Sequence, residues 1–420
     1  MNLKLKKLFK SQFLKKNGAF RDLPSIQGLE ISSLSAGLYK KKGRRDLSFF
    51  YFEDGANHAG VFTKSQVSAE CIKWNKIPKA TKVKALIVNT KNANALTGKQ
   101  GFDALKKIQK EVSKKIKIKS NEFYFASTGV IGEKFPIKKI EKKIPELIDG
   151  KKNSSQTNWI NAAKAIMTTD TIAKVSGKTF KIQNKKVSLA GIAKGSGMIY
   201  PNMATMLGFI FTDVNISNAL LKLALKNNLE KTFNAISVDG DTSTNDMLLI
   251  FSTGKANNKK ITKINSKDYK IFENNLCEIM LSLAKQITFD GEGASKFIEL
   301  DIQGARSYLD AKNVAFSIAN SQLFKTAIAG EDPNWGRILM AIGKSHALVN
   351  TKKIDLKLGK QFIFKKGNIF KNYKESVAAK YMKGSNIKIL VNLGLGKNKF
   401  KAYTCDLTHE YISINADYRN

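Results

Sequence analysis

The sequence predicts an α/β or α+β fold, on three observations. Strand-like and helix-like segments alternate along the chain. Several short apolar runs carry the branched and aromatic residues of buried strands. Near the C-terminus, Ile387, Ile389, Val391 and Leu393 alternate strictly with more polar neighbours, the pattern of a half-buried strand. At 420 residues and 42% apolar, the chain can bury a large core and has the length of two domains or two tightly joined halves. No internal repeat stands out.

Taken in order, residues 1–24 are lysine-rich with interleaved apolar residues. They lack the continuous apolar stretch and small-residue cleavage site of a secretory signal. They read as a solvated leader, with an amphipathic surface helix as the alternative. "ALIVN" at 85–89 is a buried strand candidate. Asp103 is expected to cap a helix whose apolar face holds Leu105, Ile108, Val112 and Ile116. "FYFAST" at 123–128 is a second strand that stops at Gly129, and residues 133–165 are expected to be helical in part. "LGFIFTDV" at 207–214 reads as a central strand, and Ser217 opens a helix through Leu220, Leu221, Ala224 and Leu225. "FKAYTCDL" follows the alternating strand after a "GLGKN" turn, so the two are expected to form a hairpin. The last residues, "YISINADYRN", stay partly apolar to the end, as a segment tied into the structure does.

The net charge is +38, which raises nucleic-acid binding as a function. Only six of the 72 basic residues are arginine, the usual bidentate reader of phosphates and bases. The lysines are spread evenly, and the aromatic residues form no stacking motif, so the charge reads as a solvated surface. No apolar run approaches a membrane span. Cys71, Cys277 and Cys405 are far apart and imply a reducing compartment without a disulfide framework, so a cytoplasmic location is expected. His58, His346 and His409 are equally scattered, which disfavours a histidine-based triad or metal site.

The stretch "GIAKGSGMIYPNMATMLGFIF" at 191–211 packs glycines, a proline and a threonine between two apolar runs. It is not a phosphate loop: "KGSGMIY" has Tyr200 where G-x-G-x-x-G needs its last glycine. "SGKT" at 176–179 and "GKS" at 343–345 lack the first P-loop glycine, with Ile172 and Ile338 in its place. "DGDTSTND" at 239–246 lacks the sixth-place glycine and twelfth-place glutamate of a calcium loop, where Thr244 and Ile250 stand. A self-cleaving threonine fits better. A hydroxyl is a weak nucleophile unless a base sits beside it, and an α-amine freed by cleavage is such a base. Its pKa lies near neutrality. Pro201 and Asn202 favour a turn, Ala204 is small enough to let a hydroxyl reach its carbonyl, and Thr205 opens a strand.

"KGSGMIYPNMATML" resembles the signature of the ornithine acetyltransferases, also called bifunctional glutamate N-acetyltransferases. The blocks "AGVFT", "NTKNANALTG", "ASTGVIGE", "MTTDT", "SVDGDTSTND", "GEGASK", "GEDPNWGRI" and "INADYRN" follow in family order from about residue 30 to the end. The resemblance implies a layered α-β-β-α sandwich of the aminopeptidase-like type, cut by itself between Ala204 and Thr205. An α chain of 1–204 and a β chain of 205–420 would then assemble as α2β2. The family moves acetyl from N-acetylornithine to glutamate by a ping-pong route through an acetyl-threonine ester, and some members also take acetyl from acetyl-CoA. No metal or organic cofactor is implied.

By the same resemblance Thr205 is the nucleophile, and Thr128 and Gly129 form the oxyanion hole, where negative charge builds during acyl transfer. Thr168, Lys194, Glu292, Asn415 and Asn420, with Thr205, fall on substrate-binding positions. Lys194 suits a carboxylate or charge near the nucleophile, and Glu292 suits an amine. Asp239, Asp241 and Asp246 read as structural hydrogen-bonding groups. "DPNWGR" reads as packing by Trp335 and anchoring by Arg337. Three positions depart from the family: Lys91 replaces a usual glycine, Ala173 a usual proline, and Asn420 a usual terminal threonine or serine. The rival readings are a self-processing aminopeptidase of the related fold and a basic nucleic-acid-binding protein.

Overall fold

The structure, a computed structural model, describes residues 23–200 and 206–418. Ala204, Thr205 and Asn420, with the leader through residue 22, lie outside the described residues.

The first part of the chain gives β1 (Glu30–Leu34), β2 (Leu47–Phe62), α1 (Glu70–Lys76), β3 (Val83–Asn89), α2 (Gly98–Lys115), β4 (Phe123–Ser127) and α3 (Ile137–Asp149). There follow β5 (Lys152–Asn153), α4 (Gln156–Ala165), β6 (Lys174–Ile182), β7 (Lys185–Lys194), β8 (Leu207–Thr212), α5 (Asn218–Leu229), β9 (Met247–Ser252) and α6 (Lys267–Phe289). The long strand β2 organises them. Its first part pairs with β1 and β3, its register shifts between Tyr51 and Ala56, and its second part pairs with β9. One strand thus belongs to two sheets: β5, β1, β2, β3 and β4 on one side, and β2, β9, β8, β7 and β6 on the other.

The two sheets face each other across an aromatic layer. Phe50 stacks on Phe211 at 4.9 Å between ring centroids, Phe52 meets Phe251 at 5.1 Å, and Tyr124 meets Phe251 edge-on at 5.8 Å. Helix α4 closes the sandwich with the buried Trp159, whose ring lies 5.3 Å from Phe211. Outside the first sheet, α1 packs on β4, and α3 packs on β1 and β2. Outside the second sheet, α5 packs on β2, and α6 on β6 and β7. The result is the α-β-β-α layering that the resemblance implied. It also explains why "LGFIFT" and "MLLIFS" are apolar throughout: β8 and β9 are a parallel pair buried on both faces.

The second part holds β10 (Phe297–Ala305), α7 (Tyr308–Ala319), α8 (Gln322–Ala329), α9 (Trp335–Gly343), β11 (Asp355–Leu358), β12 (Gln361–Lys365), β13 (Asn368–Ile369), α10 (Glu375–Met382), β14 (Asn386–Asn392), β15 (Asn398–Cys405) and α11 (His409–Ala416). Its sheet runs β13-β12-β11-β14-β10-β15. The expected hairpin between β14 and β15 is therefore corrected. β10 lies between them, parallel to β14 and antiparallel to β15, because its alternating face completes the core on both sides. The predicted cap at Asp103 is also corrected. α2 starts at Gly98 after Thr97, and Asp103 pairs with Lys106 inside the helix. Ser217 does cap α5, its hydroxyl accepting the Leu220 N–H. Trp335 packs on Phe364 at 6.0 Å, and Arg337 donates to the Leu323 carbonyl at 2.7 Å, as the structural reading of "DPNWGR" expected.

Candidate active site

The pleat and register of the sandwich bring distant segments to one edge. Asn89 pairs with Ser127 where β3 and β4 end. Lys194 pairs with Leu207 where β7 ends and β8 begins, and Leu207 pairs with Met247 where β9 begins. Loops at these ends, with segments near residues 168, 240, 292 and 411, line a cleft of about 520 Å3. Thr128, Gly129, Thr168, Lys194, Glu292 and Asn415 all line it. The sequence places these six across almost 300 positions, and the fold brings all six together. Met206, the residue after Thr205, lines the same cleft.

One wall is the turn after β4. The Thr128 N–H is spent on the Asn89 carbonyl at 3.0 Å, so Thr128 offers its hydroxyl to the cleft and not its amide. Lys194 donates to that hydroxyl at 3.1 Å, leaving its hydrogen free to point elsewhere. Gly129 has φ +132°, and a Cβ there would lie 2.1 Å from the Lys91 carbonyl carbon. Only glycine fits this close approach. Lys91 itself adopts φ 69°, the left-handed region that favours glycine, and its carbonyl accepts the Val130 N–H at 3.0 Å.

The opposite wall carries charge. Asn415 on α11 donates to Glu292 at 2.8 Å, and the Glu292 N–H donates to the Ser196 carbonyl at 2.9 Å. The Glu292 carboxylate lies flat on Gly197, where a Cβ would fall 2.2 Å from its Oε2. Burial lowers the Lys194 pKa; Lys174 lowers it further, while Asp170, Asp246 and Glu292 work against both without restoring it.

Beneath the cleft lies a buried ionic cluster. Lys174 donates to Asp170 at 2.6 Å and to Asp290 at 2.7 Å, with all three side chains fully shielded from solvent. Asp170 also accepts the Thr168 N–H at 3.0 Å and the Gly195 N–H at 2.7 Å, so it fixes two cleft segments at once. Burial alone would raise the Asp170 pKa, but the charges of Lys174 and Lys194 outweigh it and hold the carboxyl well below the usual range. Arg44 donates to the Thr168 carbonyl at 3.0 Å and completes the support of that segment.

The reading of the aspartates as structural holds for Asp239, which accepts the Met198 and Ile199 N–H groups at 2.6 and 2.8 Å. Asp246 likewise takes hydrogen bonds from Ser243 and from the Met206 N–H. One of its carboxyl oxygens is buried and has no hydrogen-bond partner among the described residues, and its side chain lines the cleft. Asn245, Tyr411 and Tyr418 also line the cleft and were missed by sequence reasoning. His58 is a satisfied core residue, held between the Ala80 carbonyl and the Tyr124 hydroxyl at 2.9 Å each. Among the described residues no group of His, Cys, Asp and Glu side chains is arranged to hold a metal ion, and no helix is long and apolar enough to cross a membrane.

A model of the ArgJ family matches residues 30–420. The arginine biosynthesis bifunctional protein ArgJ of Zymomonas mobilis subsp. mobilis is 43% identical over 400 residues, spanning 95% of this chain and 97% of that protein. The protein of the same name from Bradyrhizobium diazoefficiens is 41% identical over 403 residues, again spanning 95% and 97%. Among solved structures, the crystal structure of the arginine biosynthesis bifunctional protein from Bacillus halodurans shares 44% identity, covering 50% of this chain and 99% of that one with a TM-score of 0.49.

Proposed function

The chain belongs to the ArgJ family, and we propose that it transfers acetyl from N2-acetylornithine to glutamate in arginine biosynthesis, through an ester on Thr205. The observation that carries this reading is the make-up of the cleft. A hydroxyl and a backbone N–H at Thr128 and Gly129, a cation at Lys194 and a carboxylate at Glu292 surround the start of β8, one residue after Thr205.

The chemistry follows from these groups. The chain cuts itself between Ala204 and Thr205, which frees the Thr205 α-amine as a base. That amine takes the hydroxyl proton as Oγ1 attacks the acetyl carbonyl. The Thr128 hydroxyl and Gly129 N–H then face the developing oxyanion. The amine returns the proton to the departing nitrogen, ornithine leaves, and the acetyl group stays as an ester. The glutamate amine attacks that ester and the cycle closes. Lys194 suits a substrate carboxylate, and Glu292, steadied by Asn415, suits an amine; Thr168 and Asn420 complete the expected contacts. Acetyl-CoA is a second acetyl donor, and the enzyme works in the cytoplasm as an α2β2 assembly of chains 1–204 and 205–420. β8 and β9 from the second chain lie between β2 and β7 from the first, so the two would stay interleaved after the cut.

The test is an intact-mass spectrum of the purified protein beside Thr205→Ala, followed by transfer assays. The wild type is expected as two fragments cut between Ala204 and Thr205, to gain one acetyl mass on the second fragment with N2-acetylornithine alone, and to lose it on adding glutamate. Thr205→Ala is expected as one uncut, inactive chain. An uncut wild type, or one that hydrolyses peptides and moves no acetyl group, overturns the reading.

A further inference from the structure

Self-cleavage raises a chemical question that acetyl transfer does not. In the mature protein the free Thr205 amine is the base. In the precursor that nitrogen is an amide and cannot take a proton, so another group must move the proton from the hydroxyl to the scissile nitrogen. Most ionisable groups around the cleft are already engaged. Lys194 is bound to the Thr128 hydroxyl. Glu292 holds Asn415 and lies on Gly197. Asp239 accepts two backbone N–H groups and the Tyr411 hydroxyl. Asp170 and Asp290 are bound to Lys174. Among the described residues lining the cleft, Asp246 alone has a buried side-chain oxygen without a partner.

The sheet register places Asp246 beside the residue that follows Thr205 in the chain. Leu207 pairs with Met247 in parallel, and the Met247 N–H donates to the Met206 carbonyl at 3.0 Å, so Asp246 sits beside Met206. One peptide link, about 3.8 Å between Cα atoms, separates Met206 from Thr205. We propose that the Asp246 carboxyl relays the proton in the cleavage at Ala204–Thr205. The proposal rests on the self-cleavage reading above.

The step balances without any other reagent. The carbonyl oxygen of the neutral Asp246 carboxyl accepts the Thr205 hydroxyl proton as Oγ1 bonds to the Ala204 carbonyl carbon. Its O–H proton goes to the Thr205 nitrogen as the C–N bond breaks. The carboxyl ends as it began, and an ester and a free amine are left. Water then adds to the ester, giving the Ala204 carboxylic acid and the Thr205 hydroxyl. This role requires a neutral carboxyl, and the surroundings favour one. Burial raises the Asp246 pKa well above the ordinary carboxylate value, against Lys194, Ser243 and the Met206 N–H, which favour the anion. Of the other charged groups, Glu292 lines the cleft with Lys194, and Asp239 and Asp241 lie on Asp246's own loop. Just past the end of β2 the Thr63 N–H donates to the Asp246 backbone carbonyl, and on α1 Cys71 lies behind Asn245 with its thiol pushed up to about 12 by burial.

The experiment is cell-free synthesis of the full chain, quenched at intervals and read by intact mass, for wild type, Asp246→Asn and Asp246→Glu, with circular dichroism to check folding. Asp246→Asn is expected to fold and to cut about 100-fold more slowly or not at all, within the range of proton-transfer catalysis; Asp246→Glu recovers part of the rate. The wild-type rate is expected to fall as pH rises and the carboxyl ionises, while the residual rate of Asp246→Asn loses that fall. A structural role would lower the rate equally at every pH. If Asp246→Asn cuts at the wild-type rate, or if it misfolds and the wild-type rate is flat with pH, the proposal is overturned while self-cleavage stands. If the wild type itself stays uncut, both fall.

Discussion

Replacing Lys174 with methionine tests how the cleft is held from below. The lysine is fully buried between Asp170 and Asp290, at 2.6 and 2.7 Å. Methionine fills most of the aliphatic volume, so the cavity term is small and the loss is electrostatic. Removing one partner of a buried ion pair costs about 3–5 kcal/mol, because the remaining charge stays desolvated. Here two carboxylates lose their cation, but each keeps other donors. Asp170 retains the Thr168 and Gly195 N–H groups, and Asp290 retains those of Thr171 and Ile172. The lower end, about 3 kcal/mol at neutral pH, is therefore expected.

The pH dependence has a definite sign. The Asp170 pKa is depressed, so its contribution is present above the unfolded value of about 3.9 and disappears as pH falls through the folded value. Burial alone would lower the Lys174 pKa, but the two aspartates outweigh it and raise it. That contribution is present below the unfolded value of about 10.4 and disappears as pH rises through the folded one. The wild type thus holds the full effect from about pH 4 to about pH 10. In Lys174→Met the buried Asp170 carboxyl protonates more easily, and the deficit shrinks as pH falls below neutrality. Urea unfolding at both values measures this. A deficit under about 1 kcal/mol at neutral pH, within the range of an exposed pair, would refute the assignment of a buried cluster.

Two further outcomes follow from the packing. Phe211→Ala removes a fully buried ring that touches Phe50, Phe52, Trp159 and Phe251 between the two sheets; a loss of about 3–5 kcal/mol in urea unfolding is expected. Gly197→Ala puts a methyl 2.2 Å from Glu292 Oε2 and displaces the carboxylate from Asn415, so the KM for N2-acetylornithine is expected to rise about tenfold, equal to about 1.4 kcal/mol; an unchanged KM would show that Glu292 does not hold that substrate.

Much of this protein is determined by sequence alone. The β8 strand, the α5 helix behind Ser217 and the alternation in β14 follow from local apolar patterning and capping. The ordered motif blocks identify the family and the six described cleft residues, because their side-chain chemistry is written in short local stretches. Tertiary structure decided the rest. The β14–β15 hairpin failed because sequence neighbours in a sheet can be separated by a strand from elsewhere, and β10 arrives from about 90 residues earlier to pair with both. Two sheets sharing β2 depend on a register shift at Glu53, Asp54 and Gly55, where the polar break and a glycine at φ 72° mark an irregularity but not which strands pair on either side of it. The sequence shows that Thr128 is near the chemistry, but only the Asn89 carbonyl and the Lys194 ammonium show that its hydroxyl, not its amide, is the available donor. Asp246 is the clearest case: its residue type was visible, but desolvation and an unpaired oxygen are properties of the surroundings, and those exist only once β8 and β9 lie side by side.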